Sequence, residues 1–391
     1  MMSPPIAMSE GNTRVSRRSV LRKTSGALAV VGASGLASAE PEDLVEVNVG
    51  YRGEGGRRAA SDAAAAVVRE FSFDAMTIRV PSKAAEALRS RPDVRYVEVN
   101  GEWEALAQTT PWGIDRTDAE VAHANGKTGA GADISIIDSG IDSDHPDLQA
   151  NLGEGRAFVS CRGGPKDCGY EWDDDNDHGT HCAGTADAVD NSEGVVGVST
   201  EATLHAVKVL DKNGSGSWSD IAAGIEWTAD QGYDVGSMSL GGSSGSQTVK
   251  DACQYAYERG VLLVAAAGND GPCSDCVGYP AAYQECVAVS ATSEDDSLAS
   301  FSSTGSEVEI AAPGEDIYST IPGGYDTFSG TSMACPHVAG AGAQLMANGY
   351  TNVEARDRLK STAEDIGLAD NEQGSGLLDV AAALGLDSSD D

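Results

Sequence analysis

The 391-residue sequence has few basic residues, few aromatic residues and no long apolar run. It holds 26 Lys and Arg against 61 Asp and Glu, which gives a formal charge of −35. A surface of this sign repels phosphate groups, so we expect neither nucleic acid nor a membrane surface as a partner. No stretch of about 18 consecutive apolar residues is present, which argues against a membrane-spanning helix. The 40% of apolar residues can still fill the core of one large domain with accessory segments.

The charge is unevenly distributed along the chain. Residues 1–106 carry 14 basic and 14 acidic side chains, so the 12 basic and 47 acidic side chains of residues 107–391 carry the whole charge. Ordinary solubility is one interpretation of this excess. The interpretation we favour is adaptation to strong salt, where the Debye length falls to about 3 Å and acidic self-repulsion is screened.

The first 39 residues have the features of a secretion signal. Arg17 and Arg18 precede a modest apolar run from Gly26 to Leu36, and Ala37-Ser38-Ala39 provides the small residues of a cleavage site. This arrangement is typical of the twin-arginine type and predicts a secreted, extracellular protein that is exported already folded. The alternative, a short buried helix, is not favoured by a Gly- and Ala-rich run with charge on one side only.

Eight cysteines follow, all after residue 106, and an even number in an exported protein favours disulfides. The sequence alone does not choose among the many possible pairings. Cys161 and Cys168 close a Gly-rich loop and form a natural local pair. For Cys273 and Cys276 a redox pair and half of a zinc site both stay open, although no second CxxC pattern accompanies them.

Residues 40–106 predict a small α+β module with the element order βαββαβ. Alternating apolar and polar residues indicate the strands, and an Ala-rich stretch and a Ser cap indicate the helices. Three of the four strands and both helices can be assigned residues: the strands Leu44–Tyr51, Ala75–Val80 and Val94–Val99 and the helices Ala59–Phe71 and Ser82–Arg89. The position of the module between a secretion signal and a larger domain suggests a removable segment.

Two segments of the larger domain offer an acid and an imidazole. The apolar strand 132–137 runs into Asp138, and open α/β sheets place their chemistry at the carboxyl ends of strands. Asp138 could instead be a helix cap or a turn residue. His178 begins a segment of small residues that indicates a tightly packed helix with an exposed imidazole at its start. His178 and His181 could instead bind a metal, but the H-E-x-x-H pattern of zinc proteases is absent, and we interpret His181 as structural.

A third segment offers a hydroxyl. Ser332 is expected in the first turn of a buried, small-residue helix, where Pro336 is tolerated only if it also lies in that turn. A Ser at a helix start is usually a cap, but the flanking Gly330, Thr331 and Ala334 leave this hydroxyl room to face a substrate.

The three segments follow in the order Asp, His, Ser, with spacings of 40 and 154 residues. Residues 138–140, 178–181 and 330–334 resemble the three signature segments of the subtilisin-like serine proteases, and the chain order matches that family. The resemblance covers about residues 107–386, and the module of residues 40–106 resembles the family's inhibitory propeptide. The acidic bias is similar to that of the halolysins, the secreted proteases of salt-loving archaea.

This resemblance implies an α/β fold with a mostly parallel sheet and helices on both faces, preceded by a small α+β, ferredoxin-like propeptide. The implied organisation is a signal at 1–39, an inhibitory and chaperone propeptide at 40–106, a catalytic domain at 107–386 and an acidic tail at 387–391. We expect a monomer whose partners are polypeptide substrates and its own propeptide.

The resemblance also assigns the chemistry. Ser332 is the expected nucleophile, His178 its general base and later acid, and Asp138 the carboxylate that orients the imidazole. Asn269 follows an apolar strand and is the expected side-chain donor of the oxyanion hole, together with the N–H of Ser332. On its own, Asn269 would be read as a turn residue beside Gly268.

Substrate is expected to bind by strand addition between glycine-rich rims, in front of a roomy, uncharged first pocket. The expected substrate-binding residues are Ser239, Leu240, Gly241, Gly214, Gly216, Ala266, Gly268 and Gly278. The pocket predicts large apolar residues before the cut and fits self-cleavage after Leu106. A narrow processing protease that prefers basic residues is the alternative, with Asp270 near the rim, and a binding protein without activity is a further one.

The resemblance finally implies a calcium site, since calcium prefers oxygen ligands. The expected ligands are Gln108, Asp147, Val189, Asn191, Glu193 and Val195. Val189, Glu193 and Val195 would contribute main-chain carbonyls. Asp173-Asp174-Asp175-Asn176-Asp177 is either a second cation site or a solvated acidic run.

Overall fold

The computed structural model describes residues 44–101, 108–163 and 168–387. The predicted signal, the predicted cleavage after Leu106 and residues 388–391 of the predicted tail lie outside these ranges. The chain divides into two compact units between residues 104 and 105. The exact boundaries predicted for the signal, the propeptide, the catalytic domain and the tail stay predictions. No helix in the described ranges combines the length and the apolarity needed to cross a bilayer.

The smaller unit is a four-stranded antiparallel sheet with two helices, and its elements follow the predicted order βαββαβ. The strands lie in the order β2-β3-β1-β4. The elements are β1 (Leu44–Tyr51), α1 (Gly53–Ala63), β2 (Ala66–Phe71), β3 (Ala75–Pro81), α2 (Ser82–Arg89) and β4 (Val94–Val99).

The helix predicted over Ala59–Phe71 is wrong in its second half. The helix α1 ends at Ala63, and the residues from Ala66 onward pair with β3 as a strand. Val67, Val68 and Phe71 explain the difference, because β-branched and aromatic side chains favour a pleated surface over a helix.

The larger unit alternates strands and helices along most of its length. Its elements are α3 (Trp112–Arg116), α4 (Ala119–Ala124), β5 (Asp133–Asp138), a 3₁₀ turn (Gln149–Asn151), β6 (Arg156–Ala157), α5 (His178–Asp187), β7 (Thr203–Lys208), α6 (Trp218–Gln231), β8 (Val235–Met238), α7 (Gln247–Tyr257), β9 (Leu262–Ala266), β10 (Cys286–Thr292), β11 (Val308–Pro313), β12 (Ile317–Ile321), β13 (Gly324–Phe328), α8 (Thr331–Ala347), α9 (Asn352–Thr362), α10 (Asp370–Gln373) and α11 (Val380–Ala383).

Seven strands of the larger unit form a parallel sheet that is buried on both faces. In β9, Leu262, Val264 and Ala266 pack into one apolar core. Leu263 and Ala265 pack into the other core. Helices α5 and α8 contribute to the first core and α6 and α7 to the second. Strands without a polar face require this double cover, so the predicted α/β fold with helices on both faces is confirmed.

The sheet order β11-β10-β9-β8-β5-β7-β6 reverses direction at β5. This strand lies between β7 and β8. Strands β7 and β6 complete the sheet on one side, and β8 to β11 follow in chain order on the other. Ligands of open α/β sheets bind outside the carboxyl end of the strands at such a reversal. The residue that ends β5 is Asp138.

Two cysteine pairs are joined in the larger unit. Cys161 and Cys168 form the disulfide that the loop predicted. Cys273 and Cys276 are also disulfide-bonded, which removes the half zinc site from consideration. The other four cysteines, Cys182, Cys253, Cys286 and Cys335, are buried thiols.

Candidate active site

The structure brings the predicted acid and imidazole together. Asp138 is fully buried at the end of β5, and His178 is the first residue of α5 with about a quarter of its side chain exposed. Asp138 Oδ1 lies 2.8 Å from His178 Nδ1. Because a carboxylate only accepts hydrogen bonds at neutral pH, Nδ1 carries the proton and Nε2 keeps its lone pair.

The environment of the imidazole balances two opposing effects. Burial disfavours the charged imidazolium and would lower the pKa of His178. The negative charge and the hydrogen bond of Asp138, together with the negative charge of Asp174, outweigh burial and raise this pKa above its ordinary value of 6.5. An imidazole with a raised pKa takes up a proton readily, so His178 can act as a base towards a neighbouring hydroxyl.

The predicted nucleophile sits at the second position of α8. The Ser332 hydroxyl donates to the main-chain oxygen of Ser239 at 3.3 Å. Cys182 Sγ lies 3.4 Å from the main-chain oxygen of Ser332, and the same sulfur lies within 4.8 Å of ligand atoms of both Asp138 and His178. The three predicted catalytic residues therefore surround one buried thiol.

Pro336 lies in the second turn of α8, so the expectation that it shares the first turn with Ser332 is wrong. A proline at this position removes the N–H that would bond the carbonyl oxygen of Ser332, four residues earlier. That oxygen is satisfied from outside the helix, since Ser239 Oγ donates to it at 2.7 Å and Cys182 Sγ also contacts it. Because Pro336 leaves the Ser332 oxygen without a partner in the helix, that oxygen can bond to Cys182 on α5 and to Ser239 in the segment after β8.

Asn269 is held in one orientation beside the nucleophile. Its Oδ1 accepts hydrogen bonds from the N–H of Thr331 at 2.9 Å and from the Thr331 hydroxyl at 3.0 Å. Because a backbone N–H can only donate, these contacts assign the oxygen of the amide and leave its NH₂ group as the free end. The N–H of Ser332 has no intrahelical acceptor at its helix position. A Cβ atom on Gly330 would lie 3.4 Å from Asn269 Nδ2 and 3.6 Å from the Ser332 nitrogen, so the two donors lie near each other.

Two adjoining cavities, of about 340 and 470 Å³, open at these groups. Ser332 and Asn269 line the smaller cavity and His178 lines the larger one. Their shared wall is the segment 239–242. The predicted substrate-binding residues all line these cavities, with Ser239, Leu240 and Gly241 in both, Gly214 and Gly216 in the larger, and Ala266, Gly268 and Gly278 in the smaller.

The apolar walls of the larger cavity were not predicted from the sequence. They include Trp218, Ile221, Val249, Tyr279 and Tyr283. The Trp218 side chain is 55% exposed at the start of α6, directly after the predicted rim at 214–216. An exposed Trp next to a predicted binding rim is a signal that sequence reasoning could have used.

The six predicted calcium ligands lie together in another part of the larger unit. Gln108 Nε2 lies 2.7 and 3.0 Å from the main-chain oxygens of Val189 and Val195. The buried Asp147 accepts hydrogen bonds at 2.9 Å from Asn191 Nδ2 and from the N–H of Val195.

The arrangement around Gln108 fits an oxygen-preferring cation. Two carbonyl oxygens converge where the Gln108 amide nitrogen stands, and rotation of the amide would add its own oxygen to the group. The Asn191 side-chain oxygen, which accepts the N–H of Glu193 at 2.7 Å, belongs to the same loop. Hard oxygen donors with one buried carboxylate form the donor set that Ca²⁺ takes.

The first three residues of the acidic run 173–177 are buried, so the interpretation as a solvated run fails for them. Asp173, Asp174 and Asp175 are only 7–8% exposed. Asp173 accepts main-chain N–H groups, and Asp175 forms an ion pair with the fully buried Lys208 at 2.6 Å. The chain's own donors therefore occupy these carboxylates.

His181, interpreted as structural, is indeed buried among other elements. Its Nε2 lies 3.0 Å from the main-chain oxygen of Ile317, and its ring stacks on Phe328. Burial lowers the pKa of His181 to about 4, so the ring is neutral at physiological pH.

Comparison with known proteins agrees with this geometry. Residues 129–376 match the model of the subtilase family. The chain is 45% identical over 323 residues to subtilisin amylosacchariticus of Bacillus subtilis subsp. amylosacchariticus, which covers 81% of this chain and 82% of that protein. It is 43% identical over 321 residues to an alkaline protease of Alkalihalobacillus alcalophilus, at 81% of each chain. A subtilisin of Bacillus pumilus is 46% identical over 282 residues, which cover 71% of this chain and 99% of the relative.

Proposed function

Because this chain belongs to the subtilase family and is a serine endopeptidase, we propose that Asp138, His178 and Ser332 are its catalytic residues. The observation that carries this assignment is the 2.8 Å hydrogen bond between Asp138 and His178, next to the cavity that Ser332 and Asn269 line. The enzyme hydrolyses peptide bonds through an acyl-enzyme on Ser332.

Each residue has one role in the first half-reaction. The Ser332 hydroxyl leaves its resting acceptor, Ser239 O, and turns to His178 Nε2, which takes its proton as the oxygen attacks the scissile carbonyl carbon. Asp138 keeps the imidazole in the tautomer with Nδ1 protonated and stabilises the imidazolium that forms. His178 then gives the proton to the leaving amine.

Asn269 and the helix start stabilise the charge that develops on the carbonyl oxygen. The Asn269 NH₂ group and the N–H of Ser332 are fixed before the reaction, because Thr331 holds the amide oxygen and α8 holds the main chain. Preorganised donors of this kind favour the transition state over the ground state. Water then attacks the acyl-enzyme. His178 first acts as base by taking a proton from the water, and then as acid by returning a proton to Ser332.

The smaller cavity supports a preference for large apolar residues before the cut. The residues that line it include the small Ala266, Gly268 and Gly278, and its acidic lining residue Asp270 is exposed. The cavity volume of about 340 Å³ accommodates a large side chain, and no charge is expected at the end of that side chain. Preference for basic residues would need an acid at the base, so broad, apolar specificity is the better supported function.

Substrate main chain binds between two glycine-rich rims of the larger cavity. Residues 239–241 and 214–216 both line it, and we expect an extended peptide to pair with both segments. Gly216 is also required by packing within the protein, because a Cβ atom there would lie 2.3 Å from the main-chain oxygen of Val209. Trp218 and Leu240 then offer apolar contacts to side chains farther from the cut.

Calcium is the structural cofactor that the second cluster supports. Gln108, Asp147 and Asn191 would offer side-chain oxygens, and Val189, Glu193 and Val195 main-chain oxygens. The ion would stabilise the loop after α5 and would supply no chemistry to the reaction.

The precursor is exported, matures by self-cleavage and works in strong salt. The paired arginines support twin-arginine export, and the separate unit before residue 105 supports a propeptide that inhibits its own enzyme. The excess of acidic residues after residue 106 supports salt adaptation of the halolysin kind.

The decisive experiment is labelling with a fluorophosphonate probe in concentrated salt, followed by peptide mapping. We expect the label on Ser332 and none on a Ser332→Ala variant that folds equally well. Labelling of another serine, or an equally reactive variant, contradicts the assignment.

A further inference from the structure

The geometry assigns a positioning role to Asp174, a buried carboxylate that the proposed mechanism does not use. We infer that Asp174 holds the turn after Asp138 against the start of α5, and that its negative charge stabilises the imidazolium of His178. This inference rests on the proposed hydrolytic function and adds a residue to the same site.

Asp174 joins the segment that carries Asp138 to the segment that carries His178. Its Oδ1 accepts the hydroxyl of Ser139 at 2.8 Å, and the same hydroxyl oxygen accepts the N–H of Gly179 at 2.9 Å. Ser139 follows Asp138 in the chain and Gly179 follows His178. One carboxylate and one hydroxyl therefore link the neighbours of both catalytic side chains.

The second carboxylate oxygen fixes the first turn of α5. Asp174 Oδ2 accepts the N–H of Thr180 at 2.9 Å and the Thr180 hydroxyl at 2.6 Å. The Thr180 oxygen in turn accepts the N–H of Asp142, which lies beyond Asp138 in the chain. A second bridge between the same two segments thus runs parallel to the first.

Asp174 is held as the charged form. Oδ1 also accepts the N–H groups of Asn176 at 2.9 Å and Asp177 at 3.2 Å, so all five of these contacts are donors to the carboxylate. Burial raises the pKa of Asp174, and the hydrogen bonds from Thr180, Asn176 and Ser139 oppose that rise. A proton on either carboxylate oxygen of Asp174 would point towards a hydrogen-bond donor and would find no acceptor there.

Several charged or titratable groups surround His178, and their signs matter for the test. Asp138 lies on β5 and Asp174 on the loop before α5, and both charges raise the pKa of His178. His181 and Cys182 follow on α5, where the first is neutral because burial lowers its pKa and the second stays a thiol because burial raises its pKa. The ion pair of Lys208 with Asp175 is fully buried beside Ser139.

Three variants of the full-length enzyme separate position from charge. Asp174→Asn removes the charge and turns one acceptor into a donor, and Ser139→Ala breaks the first bridge without changing any charge. Asp177→Asn is the matched control, since it removes a neighbouring charge and its side chain caps no helix N–H. The measurements are active-site titration with a fluorophosphonate, kcat and KM on a peptide substrate, and the pH dependence of kcat/KM.

We expect Asp174→Asn and Ser139→Ala to lower kcat about 10- to 100-fold per active site with little change in KM, because Asp138 and His178 lose their alignment with each other. Only Asp174→Asn should also move the acid limb of kcat/KM to lower pH, because loss of a negative charge lowers the pKa of His178. Asp177→Asn should keep the wild-type kcat and midpoint.

A wild-type kcat in Asp174→Asn, or equal pH shifts in Asp174→Asn and Asp177→Asn, overturns the inference. If Asp174→Asn does not fold, an unchanged kcat in Ser139→Ala overturns it. A wild-type enzyme that fluorophosphonate does not label would instead refute the proposed function, so the two failures are distinguishable.

Discussion

The buried ion pair of Lys208 with Asp175 gives the sharpest prediction about stability. Lys208 is fully buried at the end of β7, beside the strand that carries Asp138. Its ammonium donates to Asp175 Oδ1 at 2.6 Å, to Leu210 O at 3.1 Å and to Ser139 O. The perturbation is Lys208→Met, which keeps the length and the apolar stem of the side chain.

The expected cost follows from the groups left behind. The Asp175 carboxylate remains 98% buried, and among the described residues its remaining donor is the N–H of Arg162 at 2.9 Å. Two main-chain oxygens also lose a donor. Removal of one partner of a buried ion pair costs about 3–5 kcal/mol in the free energy of unfolding. At about 2–4 °C per kcal/mol, Tm should fall by roughly 10 °C.

The assay is thermal and denaturant unfolding of the full chain in concentrated salt, in a Ser332→Ala background that prevents self-digestion. The double variant Lys208→Met/Asp175→Asn should recover at least half of the loss, because no buried charge is left unpaired. Lys360→Met is the control, since its partly exposed pair with Glu309 is expected to contribute less than about 1 kcal/mol. A loss below about 1 kcal/mol for Lys208→Met, or no recovery in the double variant, refutes the reasoning.

Four further predictions concern the active site, calcium and maturation. Asn269→Ala should lower kcat about 10²–10³-fold with KM unchanged, a magnitude measured in a subtilisin itself, and an unchanged kcat would remove Asn269 from the oxyanion hole. The acid limb of kcat/KM should have its midpoint above pH 6.5, because the basic form of His178 is the active one and its pKa is raised; a midpoint below 6 would contradict this. A calcium chelator should lower the Tm of the wild type by an amount that corresponds to about 3–4 kcal/mol, and Asp147→Asn should abolish that response, whereas equal responses would separate Asp147 from the ion. Ser332→Ala should accumulate as an uncleaved precursor on a gel, and normal maturation of that variant would defeat self-cleavage.

Much of the catalytic site could be predicted from local sequence. The apolar strand before Asp138, the small-residue segment after His178 and the one around Ser332 are contiguous patterns, and their order and spacing single out one family. The same resemblance predicted the glycines of the expected substrate rims and the oxygen-bearing residues around Gln108, and the structure brings each set together.

Other features could not be predicted because they depend on contacts between distant segments. The residues around Val67 pair with β3 as a strand, and a helical interpretation based on neighbouring alanines could not include that pairing. Pro336 is accommodated in the second turn of α8 because Ser239, 97 residues earlier, donates to the oxygen that the proline leaves free.

The acidic run 173–177 shows the difference between the two sources of information most clearly. Its sequence determines only that five polar residues, four of them acidic, precede His178, and side chains of that kind are usually solvated. The fold buries three of them and gives each a separate set of partners, with Asp174 joined to Ser139 and Asp175 to Lys208. The sequence by itself determined which functional groups the enzyme has, because short motifs record residue types and spacing. The tertiary structure decided which charges are buried and what they hold in place, because burial and hydrogen-bond partners arise only where separate strands and loops meet.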